Sequence, residues 1–145
     1  MTERDAGVPG ALGEALRELS GRVPPSRLDR LWLFPPLARG RSESGVIAAS
    51  CFVEGDRRLL VTLAYRAEET GSGVSFKPVF QEEGEAPEDR LPRIMDGVVR
   101  RSEEAREPPR AVSIAGDPGA FAGLIEELAA PAGLRGAAGT QSSRE

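Results

Sequence analysis

Apolar residues recur along this chain with two different periods, and the changes from one to the other mark out its elements. Leu12, Ala15, Leu16 and Leu19 sit three and four apart, which puts them on one side of an α-helix, so a helix is predicted from about Pro9 to Ser20. Gly21 suits its end, and Pro24-Pro25 prevents continuation. Leu28 to Phe34 is a compact apolar run containing Trp32, read as a strand ended by Pro35-Pro36. Residues 35–45 read as a long loop, with Arg39, Gly40 and Arg41 making it the predicted mobile segment beside the sheet. Val46–Glu54 and Arg57–Ala67 read as two more strands, and Gly55-Asp56 between them has the composition of a two-residue hairpin turn.

A two-residue turn fixes a register. It places Phe52 opposite Leu59, Ser50 opposite Val61, Ala48 opposite Leu63 and Val46 opposite Tyr65, on a face assigned to the core. The reverse face then carries Ile47, Ala49, Cys51, Leu60 and Thr62. It is too apolar for a sheet face open to water, so either a helix or a partner must cover it. Gly71-Ser72 predicts a second hairpin into Val74–Gln81, aligning Phe76, Pro78 and Phe80 with Ala67, Tyr65 and Leu63. Pro78 cannot donate to a ladder, which makes this an edge strand or a bulged one.

The helical period returns after the acidic stretch 82–89. Leu91, Ile94, Met95 and Val98 form one stripe, predicting a helix over about 88–104 with Pro92 in its tolerant first turn. Arg110–Ala115 reads as a short strand. Asp117 and Pro118 form an N-terminal capping pair for a helix whose stripe is Phe121, Leu124, Ile125 and Leu128, reaching about Ala130. The predicted fold class is α+β: a four-stranded antiparallel meander plus a short fifth strand, flanked by three helices, in the order αββββαβα. One domain is expected over 8–130, with a flexible N-terminus at 1–7 and a disordered tail at 131–145, where almost nothing is apolar. This order of elements resembles that of small bacterial secretion-chaperone-like domains and of small toxin-immunity proteins, by order alone.

Composition narrows the chemistry by what is missing. The chain has no histidine and one cysteine, Cys51, inside an apolar run, which removes the usual general base and every cysteine–histidine arrangement. A single cysteine makes no internal disulfide, and no apolar stretch approaches the ~20 residues of a membrane span, so a cytoplasmic protein outside the membrane is expected. Lys77 is the only lysine against eighteen arginines, a bias that points to a GC-rich, bacterial coding sequence. The net charge of −4 disfavours a dedicated nucleic-acid binder.

The remaining candidates each have a plainer account. The acidic stretch Glu82, Glu83, Glu85, Glu88 and Asp89 lacks calcium-loop spacing and reads as a solvated linker. Glu54 and Asp56 flank a turn, where carboxylates stay in water. Ser75 and Lys77 lack the burial a serine–lysine pair needs. Asp117 would repel a phosphate at the helix start behind it. No catalytic residue, metal ligand or cofactor is assigned.

Three binding surfaces follow from the predicted register. The first is an interface at Ile47, Ala49, Cys51, Leu60 and Thr62. The second is a pocket between sheet and helices at Trp32, Ala48, Ser50, Tyr65 and Phe80. The third is an anion patch at Arg90, Arg93, Arg100 and Arg101, within the Arg90–Arg110 segment. The expected function is a non-enzymatic protein-interaction or chaperone-like module, working on a protein partner or as a homodimer. The alternatives are small-molecule binding in the pocket, and anion or nucleic-acid contact through the arginines.

Overall fold

The structure, a computed structural model, describes residues 8, 10–55, 57–101 and 108–129, with side chains omitted at 98–101 and 129. The termini 1–7 and 131–145, expected to be flexible, lie outside the described residues. The order is α1 (Ala11–Arg22), a 3-10 turn (Pro25–Arg27), β1 (Leu28–Leu33), β2 (Leu37–Arg39), β3 (Ser42–Phe52), β4 (Arg58–Thr70), β5 (Gly73–Glu85), α2 (Pro87–Arg101), β6 (Arg110–Ser113) and α3 (Pro118–Ala129). The fold is α+β, with an antiparallel sheet ordered β5-β4-β3-β1-β6.

The segment expected as a loop at 35–45 is a broken strand and a tight turn. Pro35 and Pro36 have no N–H to donate, so they interrupt the ladder rather than end it. β1 and β2 pair with successive parts of the same edge of β3. Arg39 pairs with Ser42 across a turn in which Gly40 takes φ +60°, a conformation glycine adopts without steric penalty.

The β3–β4 hairpin departs from the predicted register by one residue. The hairpin is closed by Val53 N–H to the Arg57 carbonyl at 3.0 Å, with Gly55 at φ +55°. Cys51 therefore faces Leu59, Ala49 faces Val61 and Ile47 faces Leu63. An odd loop in place of an even one turns every β3 side chain to the other face. The β4–β5 register is the predicted one, with Ala67 opposite Phe76, Tyr65 opposite Pro78 and Leu63 opposite Phe80. β5 is an edge strand and carries a bulge near its end.

The sheet lies between two helical layers. α1 and α3 pack together on one face, burying Leu16, Leu19, Phe121 and Leu124 against Leu31, Ile47, Ala49, Cys51, Val61 and Leu63. Full burial of one such large apolar side chain contributes ~1.5–3 kcal/mol. α2 covers the other face, where Leu91, Ile94 and Met95 meet Phe34, Ala48, Leu60, Trp32 and Val46. The helix over 88–104 begins at Pro87 and Ala86 enters it at φ +61°. Pro92 thus lies beyond the first turn and leaves the Glu88 carbonyl without its helical donor. α1 runs through Gly21 to Arg22 and stops at Val23, whose N–H reaches the Leu19 carbonyl at 2.8 Å.

One buried carboxylate fastens α1's entry to the sheet. Glu43, 8% exposed, accepts from the Tyr65 hydroxyl at 2.7 Å and from the Val8 backbone N–H at 3.1 Å. Gly45, directly opposite Tyr65, makes room for the ring; a Cβ there would lie 2.7 Å from it. Burial, and then the Glu43 charge, hold the Tyr65 phenol well above the ordinary tyrosine range.

Two outcomes follow. Gly45→Ala should lower stability by ~1–3 kcal/mol in urea denaturation, because the buried Tyr65 ring must move. Tyr65 is the only tyrosine, so an ultraviolet alkaline titration reads it alone. The folded chain keeps a proton that the unfolded chain releases near pH ~10. This contribution to stability is complete below about that pH and is lost as pH rises toward the folded value. Tyrosinate absorbance should therefore appear only together with unfolding; a reversible titration near pH ~10 in the folded protein would refute the buried pair.

Candidate functional site: a cleft at the end of the sheet

The one-residue register shift splits two of the three predicted surfaces. Ile47, Ala49 and Cys51 belong to the core under α1 and α3, whereas Leu60 and Thr62 point to the α2 side. All five are buried, so the predicted interface is neither one face nor a surface. The predicted pocket divides in the same way. Trp32, Ala48 and Ser50 face α2, while Tyr65 and Phe80 lie on the opposite side of the sheet. Ser50, 1% exposed, donates to Asp29 at 3.4 Å.

The third surface does not converge where its side chains are described. Arg90 folds back over Gly84 and donates to the Glu85 carbonyl at 2.7 Å. Arg93 is exposed at a shallow hollow beside Gln81, Glu83 and Ile94. The side chains of Arg100 and Arg101 lie outside the described residues.

Three carboxylates of the acidic stretch are engaged by neighbouring side chains. Glu83 accepts from the Thr62 hydroxyl at 2.9 Å. Glu88 meets Arg58 at 2.7 Å, and Arg58 also reaches Asp29 at 3.2 Å, joining α2's first turn to β4 and β1. Glu85 and Arg57 form a two-pronged pair with a shortest contact of 2.5 Å. Hydrogen bonding from Arg57, then its charge, holds the Glu85 carboxyl below the ordinary glutamate range. The described residues bring no three metal-ligating side chains together.

The segment before α3 is likewise committed. The N–H groups of Ala115 and Gly116 bond to the Asp29 and Leu28 carbonyls at 2.8 and 2.7 Å. Asp117 takes the Gly119 N–H at 2.9 Å. These amides hold the turn against β1 and cap the helix, which leaves them turned away from any anion at that end.

A half-open cleft of about 400 Å³ lies where α1, the 3-10 turn and the β3–β4 hairpin meet. Sequence spacing does not mark it out. Its apolar wall is Val23, Cys51, Leu59, Val61 and Phe80. Its rim carries Arg22, Arg27, Arg57, Glu82 and Glu85. Each element delivers its part for a local reason. Val23 ends α1, Pro24-Pro25 turns the chain so that Arg27 stands at the rim, and strand alternation puts Glu82 in phase with Phe80 before the bulge that follows it.

The charges on the rim differ in what they meet. Arg57 is tied to Glu85, and Arg22 lies near Glu18 at 3.6 Å and over the Phe80 ring at 5.6 Å. Arg27 donates through Nε to the Phe52 carbonyl at 3.1 Å. Among the described residues no carboxylate lies within ion-pair distance of Arg27, and no cation within that distance of Glu82. Burial pushes the Cys51 thiol up to about 11, with Arg27 opposing the rise and Asp29 and Glu82 adding to it. At neutral pH the thiol is protonated, so it serves as a small apolar wall rather than as a nucleophile.

Cys51, the only cysteine, offers a direct check. Alkylation by iodoacetamide should be slow at pH 8 and accelerate about tenfold per pH unit toward about 11, following the thiolate fraction. Fast labelling with a plateau below pH 9 would show an exposed, acidic thiol instead. Compared with protein-family models, with curated proteins and with solved structures, the chain matches none of them.

Proposed function

We propose that this chain is a small-molecule-binding domain whose site is the cleft bounded by Val23, Cys51, Val61, Phe80 and Arg27, and that it performs no covalent chemistry. The observation that carries this reading is the cleft itself: a concave apolar wall beneath a charged rim, at a volume within the usual range for ligand sites. The absence of histidine and the protonated Cys51 thiol support binding over catalysis. No described helix is long and apolar enough to cross a membrane. A bacterial, cytoplasmic setting belongs to the same proposal and rests on the arginine bias and the single cysteine.

The test is an amide NMR titration with para-cresol, a small apolar probe. Amides of Val23, Cys51, Val61 and Phe80 should shift together at millimolar probe, the affinity expected of a fragment. Shifts confined to the α2 side of the sheet, or none at all, would overturn the reading.

A second reading, a protein-interaction module acting on a partner or as a homodimer, has a different surface from the one the sequence suggested. Val74 and Val79 on β5 are each 58% exposed, on the long edge strand. Lys77, Pro78 and the bulge on that strand oppose edge pairing, which ranks this reading second. Light scattering across a dilution series decides it: a dimer abolished by Val79→Lys supports the edge, and a monomer at all concentrations removes the homodimer.

A further inference from the structure

We infer that the cleft selects a small apolar zwitterion, one ammonium and one carboxylate on a single apolar body, as in a free apolar amino acid or a short apolar peptide. This rests on the reading of the cleft as a binding site and specifies what it takes.

Arg27 and Glu82 carry the argument. Both line the same cleft, on opposite elements: Arg27 ends the 3-10 turn before β1, and Glu82 lies on β5. They are not within ion-pair distance of one another, and among the described residues neither has a partner of opposite charge. The other rim charges are engaged, Arg57 with Glu85 and Arg22 with Glu18 and the Phe80 ring. Two opposite charges held apart above an apolar wall match a ligand that carries both signs and an apolar body. A simple anion would satisfy Arg27 and meet Glu82 as a like charge; a simple cation would do the reverse. Glu82 also stands in the alternating phase that Phe76, Pro78 and Phe80 give to the core. The carboxylate thus continues the line of the buried face to the point where the core opens.

The experiment compares L-phenylalanine, hydrocinnamate and phenethylamine in the same NMR titration, together with a phenylalanine–leucine dipeptide. The first two share a carboxylate and an aromatic body, and the amine keeps only the ammonium. Both charges are solvent-exposed, so each contact is worth little by itself, and L-phenylalanine should bind about three- to tenfold tighter than either singly charged analogue. Arg27→Gln should reduce L-phenylalanine to the level of phenethylamine, and Glu82→Gln to the level of hydrocinnamate. Arg27→Lys keeps the charge and should keep the preference, which separates charge recognition from loss of the Phe52 hydrogen bond. If the dipeptide binds tighter than L-phenylalanine, the zwitterion class stands and the source is a peptide terminus pair. Equal binding of either analogue and L-phenylalanine would overturn the inference while leaving the cleft a binding site. If para-cresol and all four charged probes leave the cleft amides unmoved, the inference and the binding reading both fail.

Discussion

The pairing of β3 with β4 is the constraint from which the rest follows, because it decides which helical layer each side chain enters. β3 is paired along its whole length, and its two sides are both apolar. Ile47, Ala49 and Cys51 go to the layer of α1 and α3, Val46 and Ala48 to α2. Ala48 and Ala49 are both fully buried, one in each of the two clusters. A sheet buried on both faces has no spare apolar surface at its centre, so binding has to occur at its ends or edges. The cleft beside the β3–β4 hairpin is such an end.

Much of the architecture was legible from periodicity. The stripes of α1, α2 and α3, the β4–β5 register and the edge position of the strand containing Pro78 all follow from local patterning that tertiary contacts did not override. What failed was parity. Both sides of β3 are apolar, so the hydrophobic pattern cannot choose a register, and the choice passed to the turn. Gly55-Asp56 suits a two-residue turn in composition, but the hairpin closes between Val53 and Arg57, one residue out of that register. That single residue moved the predicted interface and pocket apart. The segment 35–45 differs from its expected loop for a related reason: paired prolines mark a break in hydrogen bonding, and a strand can resume beyond them when its partner strand is long enough.

The cleft was hidden because its residues are distant in sequence and ordinary in type. Arg27 and Cys51 belong to separate strand approaches, and no spacing rule links them. One signal was present: Glu82 falls in the core phase of its strand, where a carboxylate has no place unless the core is open to water. The Glu43 site gave a similar sign. A glutamate buried in β3 needs donors, and the structure supplies them from Tyr65 and from the backbone at Val8. Phase violations by charged residues thus mark both the fastening of α1 and the mouth of the cleft.

The position of β6 sets the order in which the sheet can close. β3, β4 and β5 are joined by loops of a few residues, so their pairing loses little chain entropy. β6 instead pairs with β1, Leu31 meeting Val112 across nearly the whole intervening chain. That closure encloses the meander and α2 in a single large loop, and long-range pairing of this kind slows folding more than it weakens the folded state. The meander is therefore the kinetically local part of the molecule. The layer formed by α1 and α3 is completed only when the chain's later strand returns to its first one.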